Sequence, residues 1–203
     1  MAVEVTREGA VAVVTVDRPE ALNALNSATN QLLLAAVGEL SADDSVRAVV
    51  FTGGGDKSFV AGADIAEMKG FTAEEARRFG ALGQAVMSGI EAAPQPWIAA
   101  VNGFALGGRH IRADEALRIG LVQAVFPKDE LMPQTLKLAD ELAAKSPLAM
   151  RYCKAAVNAA ADTDITTGQG IERDLFALAF ASEDQSEGMA AFLEKRAAEL
   201  NGR

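Results

Sequence analysis

The stretch Val101-Asn102-Gly103-Phe104-Ala105-Leu106-Gly107-Gly108 closes a short apolar, strand-like run, Trp97–Val101, in a glycine-rich loop. Two adjacent glycines let a ligand come close to the backbone. A second stretch has a similar build: Ser58-Phe59-Val60-Ala61-Gly62-Ala63-Asp64-Ile65 runs through a glycine into a helix start at Asp64-Ile65-Ala66-Glu67-Met68. The first N–H groups of a helix have no intrahelical acceptor, and with the helix dipole they can meet a developing negative charge. Each loop by itself also reads as an ordinary strand-to-helix turn. Neither is a nucleotide fingerprint, because the chain has no G-x-G-x-x-G after its first strand and no G-x-x-x-x-G-K-[ST].

Outside the two loops, Val3–Arg7 and Val11–Val16 are β-rich and flank the turn Glu8-Gly9-Ala10, which predicts a hairpin. Asp17-Arg18-Pro19-Glu20 ends the second strand. Ser27 is placed to cap a helix with apolar positions Leu32, Leu33, Ala36, Val37 and Leu40. Val46–Thr52 reads as a strand stopped by Gly53-Gly54-Gly55. Thr72 with Glu75 carries a capping-box signature before the stripe Ala76, Phe79, Leu82, Val86, Met87 and Ile90, which Pro94 and Pro96 end. Further on, Ala113–Ile119 predicts a short helix stopped by Gly120, and Leu121–Phe126 a strand stopped by Pro127. Helices follow at about 129–145, 147–161 and 165–181. A last one opens at Ser182, where Gln185 completes a second capping box and Met189, Phe192 and Leu193 supply an apolar face. Strand–helix alternation followed by helices alone predicts an α/β core with an α-helical C-terminal part.

Taken together the motifs are more specific than either loop. Asp17-Arg18-Pro19-Glu20-Ala21-Leu22-Asn23-Ala24-Leu25, then Phe59–Ile65, then Val101–Gly108 resemble the enoyl-CoA hydratase/isomerase (crotonase) superfamily in order and spacing. Ala113–Val122 is similar to a later helix–turn–strand of that family. Ser146-Pro147-Leu148-Ala149 and Ser182–Phe192 are similar to its C-terminal helices. The resemblance implies an α/β fold, a crotonase-like spiral of β-β-α turns with an α-helical C-terminal region. Residues 1–108 would form the N-terminal part of the spiral core. Residues 109–203 would form its end and a helical trimerisation region.

The resemblance further implies an acyl-CoA thioester whose carbonyl oxygen receives two backbone N–H donors, Ala63 and Gly108. Such an oxyanion hole stabilises the enolate that forms as water adds to a 2-enoyl-CoA, and one donor is worth about 10²–10³ in rate. Ala24, Leu25, Ala61, Gly62, Asp64, Ile65 and Gly107 would line the substrate path. No organic cofactor or metal is implied, coenzyme A being part of the substrate. The assembly implied is a homotrimer or homohexamer. Enoyl-CoA hydratase of the fatty-acid β-oxidation type is the leading reading. Enoyl-CoA isomerase, or a catalytically inactive acyl-CoA-binding relative, is the alternative.

One feature departs from the family pattern. Arg109-His110-Ile111-Arg112 follows Gly108 directly and belongs to the later segment. Hydratases that this chain resembles place one glutamate shortly after the Gly-Gly loop and another further downstream, and neither has a matching position here. Hydration needs groups that accept and deliver a proton. His110, the only histidine, reads as the start of the later segment, and Asp64 and Glu67 as first-turn carboxylates of a helix. Glu115, between Arg112 and Arg118, reads as part of a solvated face. The junction is either an omitted stretch or an internal deletion. A deletion would leave unpaired edges and exposed apolar faces; the flanks show no compensation, which favours omission.

Composition narrows the function class. The 203 residues suffice for one domain with a sizeable core. The net charge of −9, from 19 basic and 28 acidic residues without a basic cluster, disfavours nucleic-acid binding. The single cysteine, Cys153, permits no intramolecular disulfide and reads as an inert buried thiol in a helix. No apolar run approaches the roughly 20 residues of a membrane span, and the N-terminus lacks a charged-then-apolar leader, so a cytoplasmic protein is expected.

Overall fold

A computed structural model describes residues 1–103, 105, 106 and 109–203, with backbone alone at 105, 106, 109 and 110. The chain opens with the expected hairpin. Val3–Glu8 (β1) pairs antiparallel with Val11–Val16 (β2), and Gly9 takes the positive φ of +60° that the tight turn demands. β2 then pairs in parallel with Ala48–Gly53 (β3), and β3 in parallel with Trp97–Ala100 (β4), giving the order β1-β2-β3-β4. Strands β2 and β3 are Val- and Ala-rich and almost wholly buried, as parallel strands covered on both faces must be.

The connections supply those covers. Ser27–Ser41 (α1) follows β2; the single turn Ile65–Met68 (α2) and the long Ala73–Ala92 (α3) follow β3. Leu33 and Leu40 of α1 and Val86 of α3 pack with Val14, Val16, Val49 and Phe51 on one sheet face. The other face, with Val11, Val13, Val50 and Ala100, packs against Ala139 of Leu131–Ala143 (α5). Two-residue strands Ala105–Leu106 (β5) and Arg109–His110 (β6) pair antiparallel at the junction and lead to Ala113–Arg118 (α4). Pro147–Asp162 (α6), Ile165–Ala179 (α7) and Glu183–Glu194 (α8) complete the chain. Lys154 of α6 donates from Nζ to the carbonyls of Ile90 (2.9 Å), Ala93 (2.8 Å) and Gln95 (2.9 Å). A cation is thereby placed at the C-terminus of α3, and burial pushes its amine below the usual lysine range.

Several expectations are corrected. The cap of α1 is Asn26, whose side chain accepts from the Thr29 N–H at 2.8 Å, and not Ser27. Leu32 lies on the exposed side of α1. Thr72 and Glu75 do form the reciprocal box, but at α8 the arrangement is one-sided. There Ser182 accepts from the Gln185 N–H, while the Gln185 amide turns to Met189 Sδ. Residues 121–126 form no strand: no ladder partner runs beside them among the described residues, and Leu121, Val125 and Phe126 are exposed. Cys153 is exposed, because position 153 falls on the outer side of α6. Of the α3 stripe only Val86 is buried, with Phe79, Leu82 and Ile90 half-buried and Ala76 and Met87 exposed.

Candidate active site

The first glycine loop hangs on the segment that follows the 3-10 turn Pro19–Ala21. Leu25 and Ala63 form an isolated parallel β-bridge. The Leu25 N–H donates to the Gly62 carbonyl (2.8 Å), and the Asp64 N–H donates to the Leu25 carbonyl (2.9 Å). In a parallel bridge these two bonds straddle the central residue, whose own N–H and C=O face the opposite side. The Ala63 N–H therefore points away from Leu25 and has no acceptor among the described residues. Gly62 makes this possible with φ of +98°, a conformation open to glycine at no steric cost.

The helix-terminus part of the expectation is corrected. Asp64 caps α2 itself: its Oδ1 accepts from the N–H groups of Ala66 (3.0 Å) and Glu67 (3.4 Å). Those donors are consumed, and a helix of one turn carries little dipole. What remains for an incoming anion on this loop is the Ala63 N–H. Asp64 Oδ2 accepts from Arg18 Nη2 at 3.0 Å, both side chains being largely buried. That hydrogen bond holds the Asp64 carboxyl below the usual carboxylate range. Glu67 accepts from the Ser27 N–H at 2.8 Å and so pins α2 to the start of α1. Both carboxylates hold structure, as their positions in the sequence suggest.

The remaining candidates fall around this loop. Ala61, Gly62 and Ile65 are exposed, Asp64 and Leu25 half-buried and Ala24 buried. The second loop is tethered to the first. Asn102 Nδ2 donates to the carbonyls of Gly53 (3.3 Å) and Gly55 (3.0 Å), and the Gly103 carbonyl accepts from the Phe59 N–H at 3.3 Å. The strand ends bearing both loops are thus brought side by side. Gly107 and Gly108 lie outside the described residues, as does the His110 side chain. Glu115 is half-buried, with Arg112 and Arg118 on the same side of α4 exposed.

Two organising residues escape a sequence reading. Asn23, 1% exposed, adopts φ +58° and donates from Nδ2 to the carbonyls of Gly54 (2.9 Å) and Ser58 (2.8 Å). Its Oδ1 accepts from the Arg18 N–H at 2.8 Å. The readable signal is an asparagine just after a proline-led turn, a residue that tolerates left-handed backbone. Arg18 gives no such signal, because its partner Asp64 is 46 positions away. A cleft of ≈ 100 Å³ lined by Pro19, Leu22, Asn23, Gly54, Gly55, Asp56, Lys57 and Ser58 opens beside the loop. It is smaller than the roughly 300 Å³ at which closed ligand pockets begin. Among the described residues no three His, Cys, Asp or Glu side chains converge as a metal-binding set.

Comparison with known proteins places this geometry in a family. The chain matches the enoyl-CoA hydratase/isomerase family description over residues 6–110 and again over 106–203. It is 42% identical to a crotonyl-CoA hydratase of Syntrophomonas wolfei over 246 positions, covering 95% of each chain. It is 38% identical to a short-chain-enoyl-CoA hydratase of Clostridium acetobutylicum over 244 positions, covering 94% of each. Among solved structures it resembles an enoyl-CoA hydratase from Bacillus anthracis (26% identity, TM-score 0.95, all of both chains). It also resembles an enoyl-CoA hydratase subunit from Geobacillus kaustophilus (32%, TM-score 0.91, 100% of this chain and 99% of the other). Ninety-five per cent of 203 residues is about 193, so the first alignment leaves about 53 positions of the relative without a counterpart here. The two matched segments meet at residues 106–110, the junction seen in the sequence.

Proposed function

Because the chain belongs to the enoyl-CoA hydratase/isomerase family, we propose that it is an enoyl-CoA hydratase adding water to short-chain 2-enoyl-CoA thioesters. The observation that carries the reading is the Ala63 N–H, turned outward by the Leu25 bridge and unspent on any described acceptor. The thioester oxygen accepts from it, with the Gly108 N–H as second donor. As the water oxygen bonds to C3 and gives up a proton, the C2=C3 π pair shifts toward C1 and the thioester oxygen takes the negative charge; a proton then adds at C2 and restores the thioester carbonyl. A donor already aimed at the oxygen stabilises the enolate more than the neutral thioester, which lowers the barrier. Ala24, Leu25, Ala61, Gly62, Asp64, Ile65 and Gly107 flank the acyl-CoA path. The chemistry takes coenzyme A as part of the substrate and no other organic cofactor or metal.

Size and exposure support assembly. The chain exposes 12473 Å², against about 9,100 Å² for a compact monomer of its mass. Phe176, Phe192 and Leu193 are 65%, 83% and 80% exposed. A homotrimer or homohexamer built through the 109–203 region buries such surface. The lone cysteine fits a cytoplasmic setting, and no described helix is long and apolar enough to cross a membrane.

A second reading has its own observation. The relatives carry about 53 positions that this chain lacks at residues 106–110, where a hydratase would bring its acid–base carboxylates. On that reading the chain binds the thioester without turning it over, the acid–base groups, worth about 10²–10⁴ in rate, being absent. Intact mass and crotonyl-CoA turnover, measured on the same preparation, separate the readings. A mass near 21.2 kDa with tight binding and no hydration supports the second; hydration supports the first.

A further inference from the structure

Resting on the hydratase reading, we propose that Arg18 is the positioning residue of this site, its guanidinium gripping both strands of the bridge that aims the Ala63 N–H. Arg18 Nη1 donates to the Ala24 carbonyl on one strand, and Arg18 Nη2 donates to Asp64 Oδ2 (3.0 Å) on the other. These two contacts flank the Leu25–Ala63 pair on either side. The same residue also holds the turn beneath. Its N–H donates to Asn23 Oδ1 (2.8 Å), and its carbonyl accepts from the Asn23 N–H (2.9 Å).

Core packing holds this loop only at Phe59 and Val60, and Ala61, Gly62 and Ala63 beyond them are exposed. Backbone bonds to the 22–25 segment are few: Ala61 N–H to the Leu22 carbonyl, Leu25 N–H to Gly62, and Asp64 N–H to Leu25. That segment is itself strained, with left-handed φ at both Leu22 (+52°) and Asn23 (+58°), and such backbone persists only where its surroundings over-determine it. The Arg18–Asp64 pair supplies that determination with little solvent access, its side chains being 17% and 14% exposed. A planar guanidinium reaches two acceptors in diverging directions at once, which a lysine ammonium on a flexible stem does less rigidly. Arg18 thereby acts on the reaction through the direction of a backbone donor and touches no substrate atom.

The test uses 4-dimethylaminocinnamoyl-CoA, an enoyl thioester whose absorption moves to longer wavelength when its carbonyl oxygen accepts hydrogen bonds. The full chain is titrated with the probe, and the band position at saturation is read apart from the dissociation constant. The unmodified protein is expected to shift the band. Arg18→Gln is expected to lose about half of the shift at saturation, one of two donors being misdirected, with affinity changed less than about threefold. Arg18→Lys and Asp64→Asn, milder changes that decide the matter if Arg18→Gln does not fold, are expected to give intermediate shifts. A full shift at saturation in all folded variants overturns the positioning role, because a purely structural Arg18 would lower melting temperature or affinity and leave the bound spectrum alone. Probe bound by the unmodified protein without any shift overturns the hydratase reading, and this role with it.

Discussion

Asn23 makes three side-chain hydrogen bonds, tying the segment after the 3-10 turn to the carbonyls of Gly54 and Ser58 while supporting Arg18. Replacing it by Ala leaves those half-buried partners unmet and puts a side chain poorly suited to left-handed backbone at φ +58°. Asn23→Ala should cost about 2–4 kcal/mol in urea unfolding; a loss below about 1 kcal/mol would mean that water replaces the amide. Gly62 isolates the backbone effect, because a Cβ there meets nothing within 4 Å and only the φ of +98° opposes it. Gly62→Ala should therefore cost about 1–2 kcal/mol with no packing defect. It should also weaken polarisation of a bound thioester more than thioester affinity, since the strain is relieved by turning the 62–63 peptide. A variant equal to the parent in both measurements would contradict the placement of Ala63.

At the level of elements, the last helix carries a pH-sensitive clamp. The Arg196 guanidinium donates to both oxygens of Glu187, whose Oε1 also accepts from the Glu199 N–H (2.9 Å). These bonds, the Arg196 hydrogen bond first, hold the Glu187 carboxyl down at about 2. A carboxyl depressed in the folded state stabilises it fully above the ordinary glutamate value and loses that contribution as pH falls through the folded value. Protection of the Glu199 amide against hydrogen exchange should thus fall between the ordinary glutamate range and about pH 2, and Glu187→Gln should remove it at neutral pH. Protection that is flat across this range would show that the tail is held by Asp184 alone, through Asn201 and Gly202. The elements also show what a sequence makes legible. The hairpin, the Thr72–Glu75 box and the paired glycine loops depend on neighbours within a few residues, and all are readable. Leu121–Phe126 has strand chemistry but no partner strand among the described residues, and partnership is not a local property. Cys153 and Leu32 lie on helix faces whose cover depends on other segments, and Arg18 meets Asp64 across 46 positions. The loop that carries the outward-turned Ala63 N–H was therefore within reach of the sequence, while the ties that hold it were not.

For the whole molecule, exposed apolar surface and the shortened junction are two aspects of one question. Surface well beyond that of a compact monomer, with Phe176, Phe192 and Leu193 uncovered, predicts that the chain sediments as a trimer or larger. Phe192→Asp should shift it toward the monomer, and a monomeric parent at micromolar concentration would contradict that assembly. Phe79, Leu82 and Ile90 of α3 are only half-buried and residues 121–126 are largely exposed, in a chain about 53 positions shorter than the aligned stretch of its relative. An oxyanion hole with bound substrate still retains roughly 10³–10⁴ over the uncatalysed reaction when proton-transfer groups are missing. The most direct measurement is hydration of crotonyl-CoA by protein of verified 21.2 kDa mass, followed as loss of the conjugated thioester absorbance, beside Ala63→Pro, which deletes the N–H and neither of the bridge's two hydrogen bonds. The account predicts slow hydration above the protein-free rate that Ala63→Pro abolishes while crotonyl-CoA still binds. A rate equal to that without protein, or one that Ala63→Pro leaves unchanged, would contradict it.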